Sequence, residues 1–67
     1  MIPSNAGERI REARIARGET PISMGAKTLV GFTRMMEIET GKRPPTESEW
    51  RAICAVMPEV NDDADAK

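Results

Sequence analysis

A chain of 67 residues has room for one small domain with one modest core, and at that size stability depends on well-packed helices, a staple or oligomerisation. Cys54 is the only cysteine and histidine is absent, which excludes an intrachain disulfide and argues against a zinc site. The net charge of −1 conceals an asymmetry: residues 1–57 carry more Lys and Arg than Asp and Glu, while Glu59, Asp62, Asp63 and Asp65 oppose only Lys67 at the end.

The mild basicity of residues 1–57 is a weak footprint for a nucleic-acid binder. The opening MIPSNAGER lacks the basic-then-apolar layout of a secretory leader, and no apolar run approaches the ~20 residues that cross a bilayer. A cytoplasmic protein with no membrane partner is therefore expected.

In chain order, a first helix is expected from about Asn5, with Glu8 three places on in capping-box register. Ile10, Ala13 and Ala16 form its narrow apolar stripe, Ile15 lies off it, and Gly18 ends the run. Arg9, Arg11 and Arg17 read as a solvated face. A second helix opens with Thr20 as N-cap and Pro21 at the first helical position, where its missing N–H costs nothing. Met24 and Thr28 face inward, and Gly25 leaves room for a neighbouring backbone.

A third helix runs from about Gly31 to Thr40 and stops at Gly41. On a helical wheel Met35, Ile38 and Glu39 share one side, Thr33, Met36, Glu37 and Thr40 the other, with Phe32 at the boundary. Lys42, Arg43, Pro44 and Pro45 make a rigid basic loop. The fourth helix begins at a capping box, Thr46-Glu47-Ser48-Glu49, and buries Trp50, Ile53 and Met57 before Pro58 closes it. Residues 58–67 are polar and acidic and are expected to be disordered. The fold class is all-α, a compact domain of four or five helices over residues 1–57.

These features together resemble the Cro and phage-repressor (XRE) class of lambda-repressor-like helix-turn-helix domains. The resemblance covers roughly residues 7–57. It is carried by GERIREARIARG, Thr20, Met24, Lys27, Val30, Met35, Ile38-Glu39, Gly41-Lys42-Arg43, Pro45, Trp50, Ile53 and Ala55. It implies a structural ion pair between Arg14, late in the first helix, and Glu39, near the end of the third. Glu39 also falls on the inward side of its helix, where an unpaired carboxylate would be costly. The alternative is that both charges lie on the rim and contribute little.

Three positions depart from the family pattern. Pro21 stands where a phosphate-bracing glutamine is usual, and Glu19 where an apolar residue is common. Leu29 occupies the turn position that usually holds a glycine with positive φ. A leucine there would be strained by roughly 1–2 kcal/mol, which favours a rearranged turn with Leu29 in the core in place of Thr28.

The resemblance places the third helix in the major groove and the second across the backbone. Phe32, Thr33, Met36, Glu37 and Thr40 would then face base edges or phosphates. Phe32 and Met36 suit thymine methyls, Glu37 the cytosine amino group, and Thr33 either a donor or an acceptor. Arg34 points toward a flanking phosphate, Lys42 and Arg43 toward the backbone or minor groove, and Thr20 marks the end of the second helix that would offer amides to a phosphate. Against these stand plainer roles: Phe32 and Met36 as core with Met35, Glu37 as a solvated charge, and Cys54 as a small core residue.

The expected function is a sequence-specific transcriptional regulator. It would act as a homodimeric repressor on an inverted-repeat operator of double-stranded DNA in its own promoter. Such small regulators resemble phage Cro proteins, restriction-modification controllers and anti-CRISPR-associated autorepressors, at work in the bacterial nucleoid or the cytoplasm of a phage-infected host. The alternative is a helix-turn-helix fold redirected to protein binding through the apolar face of the third helix. An enzyme is not expected, for want of a catalytic constellation, and neither are a cofactor, a metal or a small-molecule substrate. Ile15, Val56 and Met57 are candidates for the dimer surface or for the core.

Overall fold

The computed structural model describes residues 1–61, and these are all-helical: α1 (Ala6–Ala16), α2 (Pro21–Thr28), α3 (Phe32–Thr40) and α4 (Glu47–Val56), closed by a 3-10 turn at Pro58–Asn61. None of these helices is long and apolar enough to cross a membrane. α3 packs against both α1 and α2, α4 packs against α2, and the 3-10 turn seals the space between α4 and α1.

The helix starts follow from local chemistry. At Thr20 and at Thr46 a threonine hydroxyl accepts from the backbone N–H three residues on, Ser23 and Glu49 respectively. In each case the side chain of that third residue accepts from the threonine N–H, so two otherwise unpaired amides are satisfied reciprocally. Asn5 precedes α1, but its side chain makes no cap bond, contrary to the expected capping-box start. Pro3 instead takes up the first amide, its carbonyl accepting from the Ala6 N–H.

The core is built from Ala6, Ile10, Met24, Met35, Ile38, Trp50, Ile53, Met57 and Val60. Two sequence expectations change here, for Ala16 and for the segment after Pro58, and Met57 takes the core role of its two alternatives. Ala16 is exposed, and the buried stripe of α1 runs instead through Ala6, Ile10 and Arg14 at i, i+4 and i+8. Met57 is fully buried and so unavailable to a dimer surface, whereas Ile15 is half exposed. The disordered segment expected over residues 58–67 does not begin at Pro58: Val60 seats in the core, and the remaining residues of that segment lie outside the described ones. Val60 is tied from the α1 side, where Arg9 donates to its carbonyl and Arg17 makes a two-point bond to the Glu59 carboxylate at 2.6 and 2.9 Å. The solvated face expected of Arg9, Arg11 and Arg17 holds at Arg11 and Arg17, which are exposed, with Arg17 meeting Glu59 at the surface, while Arg9 is half-buried against the Val60 carbonyl.

The α2–α3 turn decides how α3 is presented. Leu29 has φ 64°, in the left-handed region, and its side chain is 91 % exposed, while Thr28 is buried and donates to the Met24 carbonyl. The rearrangement that would place Leu29 in the core therefore does not occur. The backbone conformation is held by the Gly31 N–H on the Gly25 carbonyl and by the Val30 N–H on the Thr28 hydroxyl. Gly25 explains the tightness: a Cβ there would lie 2.7 Å from the Gly31 carbonyl carbon and 2.9 Å from the Phe32 nitrogen. Only hydrogen fits between the two helices at that point.

Candidate nucleic-acid interface

α3 has one face committed to the interior and one turned outward. Met35 and Ile38 are fully buried, and Glu39 reaches beneath the helix to Arg14. The Arg14 guanidinium grips the Glu39 carboxylate at two points, Nε to Oε2 at 2.7 Å and Nη2 to Oε1 at 2.9 Å, and its remaining nitrogen donates to the Glu19 carbonyl at 2.8 Å. The two side chains are 11 % and 4 % exposed, which places the pair inside the domain rather than on its rim. The hydrogen bond to Glu39 holds the Arg14 pKa above the ordinary arginine value. This clamp joins α1 to the C-terminal half of α3 and fixes which face of α3 looks out.

The outward face carries Phe32, Thr33, Met36, Glu37 and Thr40. Phe32 is half exposed, Thr33 and Thr40 are exposed, and Met36 and Glu37 are half-buried. Neither Phe32 nor Met36 belongs to the buried core, so the plainer core role expected for them gives way to a partly exposed one. The Thr40 hydroxyl donates back to the Met36 carbonyl at 2.8 Å, leaving its oxygen able only to accept.

Arg34 is not free to reach a flanking phosphate as expected. Its Nε and Nη2 bind the Glu49 carboxylate at 2.8 and 2.6 Å, its Nη1 binds Glu37 at 2.8 Å, and Nη2 also donates to the Pro44 carbonyl at 3.1 Å. The expected use of Glu37 as an acceptor for a cytosine amino group meets the same obstacle, since that carboxylate is already engaged. The guanidinium pulls the Glu49 pKa down to about 2 and lowers that of Glu37, to which Arg43 and Lys42 contribute through their charge. Arg34 thereby joins α3 to the first turn of α4 and to the loop between them. Glu49 serves both this link and the α4 capping box, a double use readable beforehand only as the capping-box glutamate.

The loop that follows α3 displays its bases on a fixed frame. Gly41 takes φ 81°, the Lys42 N–H closes on the Glu37 carbonyl at 2.9 Å, Pro45 is buried and the Pro44 carbonyl is held by Arg34. Between these anchors the Lys42 and Arg43 side chains are exposed. At the other end of the surface, of the backbone amides expected to meet a phosphate, those of Thr20 and Ser23 are spent on the reciprocal capping box, and the Thr20 hydroxyl also donates to the Ser23 oxygen at 3.2 Å. Lys27 pairs with Glu19, whose carboxyl is lowered chiefly by that contact. Sequence reasoning missed Ile22, a 67 % exposed apolar residue in the first turn of α2. Its position off the Met24–Thr28 stripe was the available signal.

Among the described residues no group of acidic or cysteine side chains is arranged to hold a metal. The Cys54 thiol is half-buried beside the core, and burial pushes its pKa up, away from reactivity. No protein-family model, curated protein or solved structure matches this chain.

Proposed function

We propose that this chain is a sequence-specific DNA-binding transcriptional regulator of the Cro and phage-repressor helix-turn-helix type. It acts as a homodimeric repressor on an inverted repeat in its own promoter, without enzymatic activity, cofactor or small-molecule substrate. The observation that carries the reading is the presentation of α3. Its inner face is clamped by Met35, Ile38 and the Arg14–Glu39 pair, its outer face offers Phe32, Thr33 and Met36, and two exposed bases follow at once. A helix held this rigidly by a neighbour across a three-residue turn suits insertion into a major groove, with Lys42 and Arg43 on the flanking backbone.

One domain of this size covers few base pairs. A two-fold dimer with half-sites about 34–36 Å apart supplies the remaining affinity, and occupancy of a promoter by that dimer is enough to block transcription. The test is binding of the full chain to the DNA upstream of its gene across a salt series. Log affinity should fall steeply with log salt, and Lys42→Ala or Arg43→Ala should weaken binding to all duplexes and flatten the slope by about 1 each.

A second reading, protein binding through the same face, is favoured by two observations. Arg34 and Glu37 neutralise each other, and Phe32, Ile22 and Leu29 are exposed apolar side chains. A salt-insensitive chain that ignores every duplex would select this reading over the first.

A further inference from the structure

The outward face of α3 is short of groups that read guanine. In a major groove the commonest specific contact is an arginine or lysine on the O6 and N7 of guanine. The only basic residue within α3 is Arg34, and its nitrogens are spent on Glu49, Glu37 and the Pro44 carbonyl. Turning it to a base would leave two carboxylates without their partner and release the α3–α4 link. Glu37, the remaining polar chain of any length on that face, is held in the same network. What the helix does offer is a half-exposed Phe32, the Thr33 hydroxyl, and the polarisable Met36 one turn on. The thymine C5-methyl is the one apolar group that base pairs present in the major groove.

Resting on the DNA-binding reading above, we infer that the half-site is recognised through thymine methyl groups. Phe32 and Met36 seat against the methyls of thymines, Thr33 adds a single hydrogen bond to a base edge, and no guanine is specified by α3. The exposed Lys42 and Arg43 supply the sequence-independent attraction that holds this apolar face in a polyanionic groove. Arg34 is a positioning residue that holds the helix, not a reader of bases.

The experiment is enrichment of duplexes from a randomised pool by the full chain, followed by measurement on the enriched site with its thymines replaced one at a time by deoxyuridine. That replacement removes the methyl and leaves the hydrogen-bonding edge intact. Thymine-rich half-sites are expected, with about fourfold weaker binding for each contacted methyl removed, the equivalent of one buried methyl group. Phe32→Ala and Met36→Ala should each weaken the thymine duplex and abolish the discrimination against deoxyuridine at one position. Phe32→Leu, which keeps an apolar tip, should retain part of that discrimination and carries the test should the alanine variant unfold.

A guanine specified at a half-site position facing α3 would overturn the inference, as would equal affinity for thymine and deoxyuridine at every position. Either result leaves DNA binding itself standing. Absence of salt-dependent binding to any duplex would instead remove the DNA-binding reading, and this inference with it.

Discussion

Leu29 is the sharpest test of the turn that presents α3. It is the one non-glycine residue with positive φ among those described, at φ 64° and ψ 9°, and its side chain is 91 % exposed. A left-handed conformation costs an L-residue about 1–2 kcal/mol through the approach of Cβ to the carbonyl oxygen. Almost no burial offsets that strain here. Leu29→Gly removes it and gives back about 0.4–1 kcal/mol through the greater freedom of glycine in the unfolded chain. The net expectation is a gain of about 0.5–1 kcal/mol, equivalent to a melting point higher by about 2–8 °C for a domain of this length. Leu29→Ala keeps both the Cβ and the strain and should change the melting point little. Trp50, buried at the base of the fold and the only tryptophan, gives a fluorescence signal for thermal and urea unfolding. A glycine variant no more stable than the parent, or less so, would refute the strained turn and with it the presentation of α3 described above.

Arg14→Met should lower stability by about 3–5 kcal/mol, because it leaves the Glu39 carboxylate inside the domain without a partner. On a scale of roughly 0.05–0.15 kcal/mol per residue that is most of what this chain holds, so circular dichroism should find it largely unfolded at 37 °C. Gly25→Ala forces a methyl against the Gly31 and Phe32 backbone, which cannot yield as a side chain would. The expected loss is about 1–3 kcal/mol, with faster hydrogen exchange at the Gly31 amide. Acid should destabilise the domain. The Glu49 pKa, lowered to about 2, and that of Glu37, also lowered, both lie below the ordinary value of about 4.3. The unfolded chain therefore binds more protons, and the stabilisation present above about pH 4.3 is lost as pH falls toward 2. Glu49→Gln should flatten the fall in melting point across that window, and an unchanged pH profile would show the Arg34–Glu49 link to be absent in solution.

Much of the architecture was legible locally. The Thr20-Pro21 and Thr46–Glu49 starts, the Gly41 stop and the inward positions Met24, Met35, Ile38, Trp50 and Ile53 are written in caps and in 3.6-residue periodicity, both properties of a few adjacent residues. The pairing of Arg14 with Glu39 was implied by resemblance and by the inward register of Glu39, not by proximity in the chain. Periodicity misled in α1, where the true stripe includes an arginine in place of Ala16, because a charged residue enters the interior only when a distant partner neutralises it.

What only the tertiary structure decided is how the charges of the α3 region are spent. By itself the sequence determined an all-α fold of four or five helices, the order of the four described as α1 to α4 and most of their buried faces, since these rest on interactions within one or two turns. It could not say that Arg34 closes on Glu49 fifteen residues away, that Val60 completes the core, or that Leu29 keeps a left-handed turn with its side chain in solvent. Each of these depends on where separate helices come to rest against one another. Long-range placement is set by the packing of the whole domain, and it converts an arginine that reads as a phosphate contact into the brace between α3 and α4.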